Sequence, residues 1–418
     1  MSGSLSLPDT RPDTPPGTKP DTDAEPGRRR TPSPTELLAG LNPAQRAAVS
    51  YDGPALLVIA GAGSGKTRVL TRRIAWLLAE RHAHPGSILA ITFTNKAAGE
   101  MRERVIHLVG GRAKLMWVST FHSSCVRILR KEATQLGFTS TFSIYDDADS
   151  RRLMGLVIRD LGLDVKQHQP RAVLGWVSNA KNALRTPEDV AGGVTNRTER
   201  TYAECYTLYQ QRLRQANALD FDDLIMMTVR LFQSHPEIRA AYRRRFRHVL
   251  VDEYQDTNHA QYVLVRELCA ATEPRRTVDG DLVAGPASAA AADASWVEPA
   301  ELMVVGDADQ SIYAFRGANI RNILAFEEDF PAAATILLEQ NYRSTQKILT
   351  AANSVISHNT SRKPKNLWAD AGDGEDVIGY VAEDAHDEAQ FVADETDRLT
   401  DSGAATPGDV AVFYRTNA

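Results

Sequence analysis

The residues best suited to chemistry begin at positions 60–67, which read AGAGSGKT. The backbone N–H groups of Gly61, Gly63, Ser64 and Gly65 can wrap a phosphate at a helix N-terminus. Lys66 would reach the β/γ oxygens and Thr67 would ligate Mg²⁺. Ala60 stands where the usual pattern starts with Gly, a small-for-small replacement. Ala62 and Arg68 complete the stretch assigned to nucleotide binding. A second reactive group follows at 249–258, VLVDEYQDTN, where an apolar run ends in Asp252 and Glu253. Asp252 would hold the metal, usually through water, and Glu253 would activate the attacking water as general base. A phosphate loop paired with such an acid pair predicts a P-loop nucleotide hydrolase. A GTPase would need N-K-x-D; TNKAA at 94–98 has the Asn and Lys but lacks the Asp.

A third stretch, VVGDADQSIYAFRGA at 304–318, starts as a buried strand and breaks into an acid, Gln310, two aromatics and Arg316. A polar sensor and stacking groups are thus packed into a few residues after a strand.

These groups need a frame. Short continuous apolar runs at 55–60, 88–93, 116–119, 248–251 and 302–305 predict strands of a parallel sheet covered on both faces. Helical patterns between them make the class α/β. Residues 147–216 carry apolar groups at helical spacing, including Tyr202, Tyr206, Tyr209 and Leu213. They predict a helical subdomain inserted into the α/β lobe, its tyrosines packed in a core. The lobe itself is expected over 35–146 and 217–335, with a flexible Ala-rich insertion at 271–300. Residues 1–34 hold eight of the chain's twenty prolines and an RRR run, which predicts a disordered tail.

The 418-residue chain is 43% hydrophobic and 24% charged, with a formal net charge of −5. That balance excludes a histone-like, purely electrostatic binder of nucleic acid but leaves room for a local basic and aromatic groove. No apolar run approaches the ~20 residues of a membrane span. Cys125, Cys205 and Cys269 form no C-x-x-C pair. With no signal-like N-terminus, they point to a reducing, cytoplasmic setting without disulfides or zinc.

The segments LNPAQRAAV, AGAGSGKT, ITFTNKAAGEM, STFHSSCVRILR, LDFDDLI, VDEYQDTN, VVGDADQSIYAFRGA and LEQNYRS occur in that order. Together they resemble the UvrD/PcrA-type superfamily 1 ATP-dependent DNA helicases, over about residues 36–418. The resemblance implies a RecA-like ATPase lobe, the start of a second such lobe at 336–418, ATP and Mg²⁺ as cofactors, and movement 3′ to 5′ along single-stranded DNA in repair or replication. Gln45, whose amide suits adenine's edge, would read the base. Phe93, Asn95, Phe121, His122 and Phe221 would line the DNA path, where aromatic faces stack on any base. Gln310 would feel the γ-phosphate, Arg316 would bridge toward it, and Tyr313 and Phe315 would touch bases. Family members often have Trp at the position of Phe315, so base stacking is expected to be retained but altered. Tyr342 would stack on adenine and Arg343 would reach the γ-phosphate as an arginine finger. Asn417 would touch DNA.

The family's later motifs have no counterpart here, so the chain is expected to be the N-terminal part of a longer protein. The alternatives are the motor of a helicase–nuclease or a fragment that holds DNA or a partner without translocating. The resemblance further implies duplex/single-strand junctions as substrates, nucleoid association and no membrane. It leaves room for repair or transcription proteins as partners and for a dimer.

Overall fold

The computed structural model describes residues 32–270, 297–314, 317–324, 326–359 and 362–414. Residues 1–31 of the expected N-terminal tail, residues 271–296 of the expected insertion, and Phe315, Arg316 and Asn417 lie outside them.

The framework is a six-stranded parallel sheet. Its strands are β1 (Ala55–Ala60), β2 (Ile88–Thr92), β3 (Trp117–Thr120), β6 (His248–Val251), β7 (Glu301–Gly306) and β8 (Ala333–Leu338). They lie in the order β3-β2-β6-β7-β1-β8. All six residues of ALLVIA in β1 are buried, because the sheet is covered on both faces. Leu57 and Ile59 enter one core with Ile91, Val251 and Val304. Leu56 and Val58 enter the other with Ala90, Leu250 and Val305. This period-two division explains why the strands read as unbroken apolar runs instead of alternating ones.

Helices α1 (Pro34–Leu38), α2 (Pro43–Ser50), α3 (Lys66–Ala79) and α4 (Asn95–Val109) precede β3 in the chain, and α5 (Phe121–Glu132) follows it. The second core lies against α2, α3 and α4; the first lies against α5, α10 (Phe221–Ser234), α11 (Pro236–Arg245) and α12 (His259–Cys269). Parallel strands all point their carboxyl ends to one edge. The loops after β1, β2, β6 and β7 therefore gather there, which is where an open α/β sheet binds its ligands.

Between α5 and α10 the chain forms α6 (Asp147–Asp160), α7 (Pro170–Asn182), α8 (Pro187–Ala191) and α9 (Arg197–Gln215). They enclose a separate core of Met154, Val157, Val173, Val177, Tyr206, Tyr209 and Leu213. Two short parallel strands, β4 (Ser143–Tyr145) and β5 (Ala218–Asp220), pair where the chain enters and leaves this unit. Beneath it the fully buried Lys181 ammonium donates to Asp220 at 2.7 Å and lies 2.9 Å from Asp223.

Several strand details differ from the expectation. β2 stops at Thr92, which puts Phe93 just past the strand. β3 runs one residue later than expected, and Thr120 becomes the N-cap of α5, accepting from the Ser123 N–H. The expected start of a second lobe at residue 336 falls inside β8, which pairs with β1 along its whole length, Ala60 opposite Leu338. Beyond β8, β9 (Gln340–Asn341) pairs with β10 (Trp368–Ala369), and helices follow at Gln346–Ile356 and Ala385–Asp401. Residues 410–414 form no strand, and the Val410 N–H donates to the Pro407 carbonyl at 3.3 Å. Among the described residues no helix is long and apolar enough to cross a membrane.

Candidate nucleotide site and nucleic-acid interface

The loop after β1 turns sharply at Gly63 (φ +68°) and Gly65 (φ +91°), left-handed conformations that favour glycine. A side chain at Gly65 would also fall 2.8 Å from Nε2 of Gln45. Ser64 is buried and closes the turn through its Oγ, which donates to the Gly61 carbonyl at 2.8 Å. α3 opens at Lys66, so the N–H groups of its first turn face the loop. From the other side, Asn341 Nδ2 donates to the Ala62 carbonyl at 2.6 Å and the Tyr342 N–H to the Gly63 carbonyl at 2.9 Å. Ala60 is the last residue of β1, and Thr67 and the exposed Arg68 lie in the first turn of α3.

Asp252 leaves β6 buried, and its Oδ1 accepts the Glu253 N–H at 3.0 Å. Burial, then the neighbouring Glu253 charge, push the Asp252 carboxyl up to about 7. Asp256 is pushed up to about 6 by the same two causes, and its Oδ1 has no hydrogen-bond partner. Glu253 adopts φ +48°, the left-handed region that a non-glycine residue occupies at a cost on the order of 1–3 kcal/mol. That backbone turn places its Oε2 3.5 Å from Lys66 Nζ and 2.8 Å from the Gln255 amide that donates to it.

A magnesium ion fits this donor chemistry. Of the neighbouring carboxyls Asp252, Glu253 and Asp256, two are raised by burial and one has an orphaned oxygen, and they have a single ion pair, Lys66–Glu253, among the described residues. Among the described residues no group of three or more His, Cys, Asp or Glu is placed to hold a metal ion, so any site would rest on few protein ligands such as Thr67 and Asp252.

Gln255 is a residue that sequence reasoning missed. Its Nε2 serves Glu253 and Asp256, while its Oε1 accepts the Asp307 N–H at 2.9 Å. It therefore joins the acid pair to the loop after β7. The approach is close enough that a Cβ on Gly306 would fall 2.7 Å from that Oε1. Gln310 Nε2 donates to Asp307 Oδ2 at 2.5 Å.

Gln45 differs from its expected disposition. It is fully buried, its Nε2 donates to the Ser64 carbonyl at 2.9 Å, and its Oε1 accepts the Asn42 N–H at 3.2 Å. The amide is spent on the phosphate loop and the α2 capping box rather than open to a base. Tyr342 is half exposed and shares a polar knot with Asn42 and Gln340 at 3.0 Å each. Arg343 is exposed, and its N–H donates to Asn341 Oδ1 at 2.7 Å. Asn42 and Asn341 lie within LNPAQRAAV and LEQNYRS but were not picked out as site residues.

The second feature is a cleft of about 410 Å³ beside this edge. Phe93, Asn95, Thr120, His122, Ser123 and Phe221 line it. Phe221 is 49% exposed because it is the first residue of α10. The acids around it have structural work: Asp220 caps the helix, accepting the Asp223 N–H at 2.9 Å, and Asp223 returns the bond to complete a capping box. The His122 ring meets Phe221 edge-on at 5.8 Å, and burial lowers its basicity. Phe93 stacks on Tyr313 at 5.1 Å, so the loop after β2 touches the loop after β7. Phe121 does not join them. It is 4% exposed and lies in the sheet core with Trp117 and Cys125, because the first turn of α5 directs it inward.

The sequence matches the model of the UvrD/REP helicase N-terminal domain over residues 41–331. The chain belongs to the UvrD-like helicase family. The family's C-terminal domain model matches residues 336–418. Among similar proteins, the ATP-dependent DNA helicase UvrD1 of Mycobacterium tuberculosis (strain ATCC 25618 / H37Rv) is 59% identical over 401 residues, 95% of this chain and 49% of the relative. The ATP-dependent DNA helicase PcrA of Bacillus subtilis (strain 168) is 48% identical over 387 residues, 92% of this chain and 48% of the relative. PcrA of Leuconostoc citreum is also 48% identical, over 383 residues. The chain spans about half the length of these relatives. The α/β class with a parallel sheet, read from the apolar runs, agrees with this family.

Proposed function

We propose that this chain is an ATP-dependent motor that binds single-stranded DNA and moves along it 3′ to 5′, unwinding junctions in DNA repair or replication. The observation supporting this most is the sharing of one sheet edge by a phosphate loop with its acid pair and by an aromatic cleft, joined through the Phe93–Tyr313 stack. In this reading the loop N–H groups and Lys66 hold the β- and γ-phosphates. Thr67 and Asp252 hold magnesium, which when bound offsets the charge of the phosphate oxygens. Glu253 takes the proton of the attacking water, with Gln255 orienting its carboxylate through the 2.8 Å bond. Gln310 and Arg343 respond to the γ-phosphate, Tyr342 stacks on adenine, and Gln45 turns to the base once its bond to Ser64 is exchanged. Phe93, Asn95, His122, Phe221 and Tyr313 hold the strand by stacking and polar contact. A cytoplasmic setting at the nucleoid follows from that substrate.

The test is ATP hydrolysis by this chain with and without an oligo-dT strand. Stimulation by the strand is expected, and Lys66→Ala should lower turnover by about 100-fold or more, since it removes charge that acts on the transferring phosphoryl group. Turnover indifferent both to DNA and to Lys66→Ala would overturn the reading.

A further inference from the structure

Residues 362–366 carry a set of contacts that the nucleotide and DNA roles above do not use. Arg362 donates to Asp309 Oδ2 at 2.7 Å. Lys363 donates to Glu327 Oε1 at 2.7 Å. Lys365 bridges Asp307 Oδ1 and Asp309 Oδ2 with its ammonium. The Asn366 N–H reaches Glu339 Oε1 at 2.8 Å. Three cations of one short segment thus grip carboxylates on the loop after β7 and the helix at Phe326–Asp329. Lys365 and Asp307 are both nearly inaccessible, with side chains 4% and 2% exposed. A buried pair of this kind tolerates little displacement, because either charge left alone would be strongly disfavoured.

Asp307 is the pivot. Its Oδ1 takes Lys365 and the Asp309 N–H, its Oδ2 takes the Gln310 amide, and its own N–H is held by Gln255. The orientation of Gln310 is therefore set through Asp307 by a lysine from the chain segment that follows β8. The acceptors 307, 309 and 327 lie within the match to the N-terminal helicase domain, and 362–365 within the match to the C-terminal one.

We propose that Lys365 is a positioning residue for nucleotide hydrolysis: by fixing Asp307 it orients the Gln310 amide, so displacement of the 362–366 segment switches the phosphate sensor. The proposal rests on the reading of Gln310 as that sensor. It makes the ion pairs at Asp307 and Asp309 a mechanical link between the two family domains, not a surface decoration.

The experiment measures kcat and KM for ATP, with saturating oligo-dT, in the unmutated chain and in Lys365→Met, Gln310→Ala, the double variant and Asp309→Asn, with thermal melts confirming folding. Lys365→Met should lower kcat by about 10-fold while KM stays within about 2-fold, the pattern of a lost transition-state contact. The double variant should be no slower than Gln310→Ala alone, since both act through one amide. Asp309→Asn, which takes from Lys365 its second carboxylate and from Arg362 its partner and so loosens the segment's hold on Asp307, should fall between, and it carries the test if Lys365→Met does not fold. Unchanged kcat in Lys365→Met, or in Asp309→Asn where that variant stands in, overturns the proposal while leaving the sensor reading intact. So do multiplicative losses in the double variant. No effect of Gln310→Ala, or no hydrolysis by the unmutated chain, overturns the sensor reading and the proposal with it.

Discussion

Glu253 and Phe221 illustrate how single residues are bent to a purpose. Glu253 is held in a left-handed backbone conformation immediately after a strand, and the result is a carboxylate facing Lys66 rather than the core. Phe221 is half exposed at the mouth of the cleft, where a ring covers little apolar surface of its own fold. A stacking role predicts that Phe221→Ala weakens binding of an oligo-dT strand by about 1–3 kcal/mol, read by fluorescence anisotropy, with ATP affinity unchanged. Unchanged DNA affinity would return Phe221 to the status of a helix-end residue. Legibility at this scale followed solvent access. Phe93 and Phe221 sit just past a strand end and at a helix start, and sequence position located them. Phe121 has the same kind of neighbours but turns inward by helix geometry, which residue type and spacing do not encode. Gln45 was legible as a polar helix residue near the loop, but its two internal bonds depend on the folded distance between α2 and Ser64.

At the scale of elements, the central strands were readable to within a residue because both faces are buried and most of their positions are apolar. The edge strand β8 was harder. AATILL is only partly buried, and nothing local tells an edge of the first sheet from the opening of another unit. The polar joints between elements were the least legible, since they pair residues far apart in sequence. Lys181 from α7 meets Asp220 and Asp223 at the start of α10, where burial opposes its charge but the two carboxylates hold it above the ordinary ammonium range. Lys181→Met should destabilise the chain by about 3–5 kcal/mol in urea melts, because two buried carboxylates lose their counter-charge. A second joint is Glu301 at the start of β7, bound to Arg81 at 2.6 Å and to His248 at 3.2 Å. Burial alone would raise its carboxyl, but the His248 and Arg81 contacts outweigh it and hold the group at about 2. Its folded value lies below the unfolded one, so its stabilisation is complete above about pH 5 and is lost as pH falls toward 2. Glu301→Gln should thus cost about 1–2 kcal/mol at pH 7, after discounting for solvent screening, and almost nothing near pH 2. A cost independent of pH would assign the loss to packing instead.

For the molecule as a whole, the arrangement makes a thermodynamic demand. The same loop after β7 offers Gln310 toward the acid pair through Asp307 and Gln255, and Tyr313, three residues on, stacks on Phe93 in the cleft. On the proposed function, movement at one end of so short a loop is expected to reach the other, which couples nucleotide binding to DNA binding. Coupling between two ligands is reciprocal: the factor by which an ATP analogue changes oligo-dT affinity must equal the factor by which oligo-dT changes analogue affinity. A factor of about 5–150 is the usual range for such coupling. Arg343 enters because it sits exposed beside Gly63, its Cβ 2.6 Å from where a Cβ on that glycine would be, with no ion pair among the described residues to restrain it. Its role as a γ-phosphate contact predicts that Arg343→Ala shrinks both factors together while the affinity for ADP, which lacks that phosphate, stays the same. Calorimetric titration of a non-hydrolysable analogue with and without oligo-dT gives one factor, and anisotropy of labelled oligo-dT with and without the analogue gives the other. Factors near one in the unmutated chain would show that the shared loop transmits nothing, and a fall in ADP affinity in Arg343→Ala would move that arginine from the γ-phosphate to general nucleotide binding.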